Sequence, residues 1–256
     1  MIRKILRITG LYVYLKYLRQ KYFPSPAQRE EKKIMHERAA FYRQFINTGD
    51  LCFDVGANIG NRTEIFLALG SKVVAVEPQR ECARMLKLRF GNKISLVKKA
   101  LGQTEAKAQM YVSETSEISS LSKEWIDAVS KSRFSNSLWD KREAVNVTTL
   151  DRLINYYGLP TFCKIDVEGY EEEVLKGLSR PIKFISFEYT IPERLKSISA
   201  CLTELSKIGK FECNYTIGEQ MKFALTEWVS QETLMGKIKD ASVKSLFGDI
   251  YIHFIS

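Results

Sequence analysis

Hydrophobic positions change their spacing along the chain. Over residues 1–22, Ile5, Ile8, Leu11, Leu15 and Leu18 recur three or four apart, flanked by Arg3, Lys4, Arg7, Lys16 and Arg19. That spacing predicts a basic amphipathic helix. Pro24 and Pro26 close it, and a charge-rich helix is expected over 27–46. Beyond Asp50 the pattern becomes short β-rich runs alternating with helical stretches. Strands are expected over 51–55, 72–77, 94–101, 161–167, 182–188, 211–217 and 249–255. Helices are expected over 61–69, 80–90, 150–157, 170–177, 193–208 and near 227–240. This alternation predicts an α/β fold of the Rossmann-like type, a mostly parallel sheet with helices on both faces and right-handed crossovers.

Residues 103–145 break the rhythm. A strand is expected over 106–112, then a Ser-rich polar stretch carrying Trp125 and Trp139, then a short strand over 146–149. The stretch is read as an insertion or lid over the carboxyl edge of the sheet. The expected organisation is a basic helical extension over 1–49 and an α/β domain over 50–256. No internal repeat is visible.

Charge refines this division. The chain of 256 residues carries a net +9, of which residues 1–50 hold 11 Lys/Arg against 4 Asp/Glu. The remainder is close to neutral. A nucleic-acid enzyme would carry positive charge around its catalytic domain as well, so a nucleic-acid partner is disfavoured. The longest uncharged run near the start, Ile8 to Leu15, is too short to span a bilayer, and no cleavage site follows a clean apolar stretch. A cytoplasmic chain is expected. Its first helix either lies on an anionic membrane surface at the inner face or packs on the domain or on a second subunit. Five scattered cysteines without a CxxC pair read as buried reduced thiols, and two histidines give no zinc site.

The candidate chemistry sits at strand ends. Phe53-Asp54-Val55-Gly56-Ala57-Asn58-Ile59-Gly60 runs from an apolar strand into a glycine turn ahead of a helix. Glycines there permit positive φ and close approach of a ligand to the backbone. The spacing is Gly-x-x-x-Gly, and the acidic Asp54 suits an ammonium beside a sulfonium better than a pyrophosphate. The second strand ends in Val76-Glu77-Pro78, placing an acid where it can accept ribose hydroxyls. A third stretch, Lys164-Ile165-Asp166-Val167-Glu168-Gly169, ends an apolar strand in carboxylates. Alternation puts Asp166 and Glu168 on one side, and an N-cap role explains Glu168 equally well.

These blocks resemble the FkbM-type methyltransferases. The resemblance covers roughly residues 50–256 and rests on DVGANIG (54–60), VAVEP (74–78), KKALG (98–102), SSL (119–121), VTTLD (147–151) and KIDVEGYEEEVLKG (164–177). It implies a class I methyltransferase fold with a seven-stranded sheet, binding S-adenosylmethionine. In such enzymes the matching positions Asp54, Gly56, Asn58 and Gly60, with Ala57 between them, would line the methionine end of the cofactor. Glu77, followed by Pro78, would hold the ribose, Ala100 and Leu101 would border the adenine, and Asp166 would stand near the transferred methyl. The resemblance further implies O-methylation of hydroxyls on secondary metabolites or glycans.

For an acceptor hydroxyl the candidate catalytic bases are Asp166, Glu168 and Glu188, with His36 and His253 as outliers. Asp166 and Glu188 as a pair could instead hold Mg²⁺. A small-molecule or glycan acceptor is the leading partner, and a homo-oligomer is compatible with the sequence. A second reading is RNA or protein methylation, against which the chain lacks an Asn/Asp-Pro-Pro-Tyr motif. A third is a non-catalytic membrane or interaction scaffold that retains the fold.

Overall fold

The computed structural model describes residues 11–23, 25–113, 116–132, 134–241 and 246–255. The first ten residues of the expected N-terminal helix, and Pro24 behind it, lie outside the described residues. Two helices, α1 (Leu11–Tyr22) and α2 (Pro26–Tyr42), precede β1 (Leu51–Val55), α3 (Asn61–Ala68), β2 (Lys72–Val76), α4 (Arg80–Phe90) and β3 (Ile94–Val97). Next come β4 (Ala100–Leu101), β5 (Ala106–Val112), α5 (Lys123–Val129), β6 (Lys141–Thr148) and α6 (Leu150–Tyr157). The chain then alternates through β7 (Phe162–Ile165), α7 (Glu171–Lys176), β8 (Phe184–Ile191), α8 (Leu195–Ser206), β9 (Phe211–Tyr215), α9 (Gln231–Ala241) and β10 (Leu246–Phe254).

Seven strands form one sheet in the order β3-β2-β1-β7-β8-β10-β9. The pairs from β3 through β8 are parallel, and β10 runs antiparallel to both β8 and β9. Strand order reverses between β1 and β7, with Val55 opposite Val76 on one side and Ile165 on the other. In an open α/β sheet that switch opens a crevice at the carboxyl ends of the strands, where ligands bind.

The strands' period of two divides the core. One face carries Phe53, Val55, Ile165, Ile185, Phe187, Ile250 and Ile252, packed against buried side chains of α6 to α9 such as Leu153, Leu175, Leu202 and Leu234. The other face carries Cys52, Val73, Phe162, Phe184 and Tyr251 under Phe41, Tyr42, Phe45, Ile46 and Phe66. Phe45 stacks on Phe162 at 5.4 Å and on Tyr251 at 5.3 Å. The packed core therefore starts before the expected boundary at residue 50, because the end of α2 and the turn after it are the aromatic cover of one sheet face. All five cysteines are buried, and burial pushes Cys52 and Cys213 up to about 12.

Two expectations are corrected in the middle of the chain. The strand read as 94–101 is two: β3 ends at Val97, and β4 leaves the main sheet to pair with β6. The strand read as 146–149 is the end of an eight-residue β6, which pairs antiparallel with β5 over its whole length. Between them α5 starts at Ser122, whose side chain accepts from Trp125 N. Its Trp125 packs edge-on against Trp139 at 6.3 Å. Polar composition concealed this helix, since its apolar side is only Trp125, Ile126 and Val129, completed by Phe134 and Trp139 from the segment that follows.

Candidate active site

On the face covered by aromatics, residues toward the carboxyl ends turn polar. In β7 Phe162 is followed two residues on by Lys164. In β8 Phe184 is followed by Ser186 and Glu188, and β10 reaches the same edge with Asp249, opposite Glu188. With Asp54 opposite Lys164, alternation alone gathers Asp54, Lys164, Glu188 and Asp249 on one face at one edge. Asp166 joins them as β7 ends, its N–H donating to Val55 O at 2.9 Å.

Two cavities meet at this edge. One is lined by Gly56, Glu77, Pro78, Ala100, Leu101 and Met110. The other is lined by Arg38, Asp54, Ala57, Arg62, Lys164, Glu188 and Glu219. Gly56, Asn58, Glu117, Asp166 and Glu168 border both.

The floor of the first cavity follows from its glycine. Gly56 has φ +80°, and a Cβ there would lie 1.8 Å from Asp166 O. No other residue fits between the ends of β1 and β7. Asn58 also adopts positive φ, which aims its N–H at Glu77 Oε2 at 2.8 Å, while Gln79 N donates to Glu77 Oε1 at 2.7 Å. Both carboxylate oxygens are thereby fixed in direction and keep lone pairs for a ligand. Burial pushes the Glu77 carboxyl up to about 7, against the two backbone hydrogen bonds. Gly60 borders neither cavity. Its Cβ would meet Phe90 and Leu86 of α4, so this glycine serves the packing of helix on turn.

The charged edge is the more unusual part. Lys164, 1 % exposed, places Nζ 2.9 Å from Asp249 Oδ1 and 3.2 Å from Asp166 Oδ2. Burial opposes both charges of the pair, yet Lys164 and Arg62 hold Asp249 below the ordinary carboxylate range, and Asp166 and Asp249 hold Lys164 well above its own. Asp54 is shifted upward by burial, opposed by a hydrogen bond from Thr63 and by Lys164. Asp166 is raised by burial, Lys164 opposing. Glu168 and Glu188 are raised well above the usual range by burial first, then Glu168 by Glu188 and Asp166, and Glu188 by Asp166 and Glu171. Oxygens of Asp166, Glu168 and Glu188 lie within 4.8 Å of one another. Such a group can take up a proton or hold a cation.

The loop that presents Glu168 is tied from three sides. Glu168 has φ +52°, and Ser120 Oγ donates to its carbonyl. Gly169, with φ +99°, leaves room for Trp125, which a Cβ would strike at 2.4 Å. Glu171, fully buried, accepts from Gly169 N at 3.1 Å and is clamped by Arg194. Ser120 of the SSL block and Glu168 and Glu171 of the KIDVEGYEEE block are thus parts of one tether.

The two histidines do not join this edge. His253 pairs with Glu212 at 2.8 Å and stacks on Phe184 at 4.6 Å, opposite the amino-terminal end of β8, and His36 is exposed on α2. Sequence reasoning passed over Lys164, Asp249, Arg38, Arg62 and Glu219. Arg62 Nη2 and Arg38 Nη2 converge on Glu219 Oε2 at 2.8 and 3.1 Å. A charged residue inside each of two apolar strands, Lys164 and Asp249, was the one available signal.

A family model for the methyltransferase FkbM domain matches residues 54–228. The chain belongs to the FkbM methyltransferase family. Its seven-stranded, mostly parallel sheet is the class I methyltransferase fold, and the FkbM domain uses S-adenosylmethionine as methyl donor. Among curated proteins none matches the sequence. Solved structures similar to the FkbM chain include a precorrin-6y C5,15-methyltransferase from Geobacter metallireducens GS-15, 9 % identical, with 87 % of this chain and 88 % of that one covered and a TM-score of 0.46. An rRNA methylase from Streptococcus thermophilus is 10 % identical, with 87 % and 96 % covered and a TM-score of 0.42. No helix among the described residues is long and apolar enough to cross a membrane.

The residues of the first cavity fit the cofactor of the family. A Cβ-free floor at Gly56 admits close approach, Glu77 offers fixed acceptor oxygens, and Ala100, Leu101, Met110 and Leu121 make the opposite wall apolar.

Proposed function

We propose that this methyltransferase transfers the methyl group to a hydroxyl of a small-molecule or glycan acceptor held in the second cavity. The observation that carries the reading is the meeting of the two cavities at Asp166 and Glu168, with Glu188 alongside. Bound S-adenosylmethionine supplies an electrophilic methyl on a sulfonium. In this reading Glu77 accepts the ribose hydroxyls, Ala100 and Leu101 border the adenine, and Asp54 faces the ammonium of the methionine end. The second cavity would hold the acceptor hydroxyl next to the methyl group that the cofactor would supply, with the sulfonium sulfur as leaving group. The hydroxyl proton passes to a carboxylate of the Asp166, Glu168 and Glu188 group, whose raised proton affinity suits a general base.

A wall rich in carboxylates also favours a hydroxyl-bearing acceptor, because carboxylates accept from hydroxyls and repel phosphates. The test is transfer of a labelled methyl group to panels of sugars and hydroxylated small molecules, with RNA and protein as rival acceptors. Asp166→Asn is expected to lower turnover by about a hundredfold or more with cofactor affinity nearly unchanged. Transfer to RNA alone, or full turnover in the variant, would overturn the reading.

A second version is favoured by the 4.8 Å grouping of three carboxylates, in which they hold Mg²⁺ and the ion acidifies the acceptor hydroxyl. Loss of turnover on chelation and its return with Mg²⁺ supports this version. Turnover indifferent to chelator leaves the carboxylate base.

A further inference from the structure

We propose that α1 docks the protein on an anionic lipid surface, with Tyr14, Leu15, Tyr22 and Phe23 entering the interface. Helix α1 lies along α4, and Tyr17 and Leu18 are half-buried. At 100° per residue Tyr14, Leu15, Arg19 and Tyr22 fall on a single arc, and all four are exposed. Among the described residues ten large hydrophobic side chains are exposed, and Tyr14, Leu15, Tyr22 and Phe23 are four of them within ten positions. Leu88, a fifth, belongs to α4 itself. The others are scattered along the chain, as is ordinary for surface apolar residues. A concentration of this kind on one short helix marks a contact surface.

Charge identifies the occupant. Residues 1–22 contain six Lys/Arg and no Asp/Glu. Tyrosines and basic side chains around an apolar arc suit the headgroup level of a bilayer, where rings sit at the boundary and ammonium and guanidinium groups reach anionic lipid. A second copy of the chain would bring two such positive segments together across an isologous contact, which is repulsive. RNA shares the negative charge, but phosphates gain nothing from Leu15 and Phe23.

The test is co-sedimentation of the full chain with vesicles of phosphatidylcholine alone or with about a third phosphatidylglycerol. Binding to the anionic vesicles, weak binding to the neutral ones and partial survival of binding at high salt are expected. Leu15→Glu with Phe23→Ser, and separately Lys16→Glu with Arg19→Glu and Lys21→Glu, should each weaken partitioning by about tenfold or more. Calorimetric cofactor binding by both variants checks that they are folded, and the lipid and salt series on the native chain stands without them. Absence of binding to anionic vesicles overturns the proposal. So do equal partitioning of native and variant chains, tighter binding to RNA than to vesicles, and a dimer in light scattering that Leu15→Glu dissolves. None of these readouts involves methyl transfer, so they stand apart from the fate of the acceptor reading.

Discussion

Asp249 Oδ1 accepts a hydrogen bond from Lys164 Nζ at 2.9 Å across 85 residues of sequence, and the same ammonium reaches Asp166 Oδ2 at 3.2 Å. The lysine is nearly inaccessible to water, so its charge persists only because two carboxylates compensate it. Lys164 and Arg62 hold Asp249 below the ordinary range, while burial raises Asp166 against the pull of Lys164. The negative charge of Asp249 adds to the proton affinity of Asp166.

Replacing Asp249 with Asn turns the full charge of Lys164 onto Asp166 and removes a repelling neighbour. The Asp166 pKa falls, so the acid limb of the pH–rate profile moves to lower pH and turnover drops by about tenfold. Cofactor affinity should stay within about threefold. Lys164→Met acts in the opposite sense, raising the acid limb, and destabilises the fold by about 3–5 kcal/mol through unpaired buried carboxylates. An unmoved acid limb in both variants would reduce the lysine bridge to a structural part.

The pair explains what could be read beforehand. The alternating strands and helices are local patterns and appear in place, and the glycine turn, Glu77 and the carboxylates after β7, equally local, line the two cavities. Lys164–Asp249 depends on β10, the last strand in sequence, inserting between β8 and β9, which no local pattern specifies. Phe45 on Phe162 and Tyr251 is hidden for the same reason: three aromatics from three distant segments meet only through sheet order. The glycine turn offers two glycines with positive φ, and only packing tells that Gly56 faces Asp166 while Gly60 faces α4.

Glu77 predicts a pH dependence of cofactor binding. Its carboxyl titrates at about 7, and the ionised form is the better acceptor for ribose hydroxyls. Affinity for S-adenosylhomocysteine should level off above about pH 8 and fall toward tenfold weaker at about pH 6. Stability of the cofactor-free chain runs the other way. A carboxyl raised on folding stabilises below its unfolded value, and that contribution is lost as pH rises from 4.5 to about 7. Calorimetric titrations from pH 5.5 to 8.5 check the first trend. Glu77→Gln should bind weakly and lose the slope, and a native affinity flat across this range would contradict the assignment.

The two glycines of the turn separate by function. In Gly56→Ala the new methyl strikes the Asp166 carbonyl at a positive φ, so the ends of β1 and β7 must part. Cofactor binding should vanish and stability fall by about 2–4 kcal/mol. In Gly60→Ala the obstacles are the ring of Phe90 and the end of Leu86, which can yield. A loss of about 1–3 kcal/mol with cofactor affinity within a few-fold is expected. Thermal melts and titrations of both variants check the contrast, and equal loss of binding in the two would return Gly60 to the cleft.

Glu188 tests whether the acidic edge is kept for function at the expense of stability. Its carboxyl is raised well above the usual range, by burial first and by Asp166 and Glu171 next. Folding therefore disfavours its ionised form, and the penalty grows as pH climbs from the unfolded value of about 4.3 toward the folded one. Glu188→Gln removes the charge and should melt later than the native chain at pH 8, by about 2–4 °C for each 1 kcal/mol relieved. Near pH 4 the two should melt together, since the native carboxyl is then protonated in both states. Turnover is the counterweight: the variant loses one carboxylate of the group that includes Asp166 and Glu168, and methyl transfer should fall by about tenfold or more. Adding Mg²⁺ distinguishes the two versions of the site. If the three carboxylates hold the ion, Mg²⁺ raises the melting temperature of the native chain and leaves Glu188→Gln unmoved. If they act as a bare base, neither protein responds. A variant that melts earlier than the native chain at pH 8 would show that Glu188 is compensated by its surroundings and carries no stored repulsion.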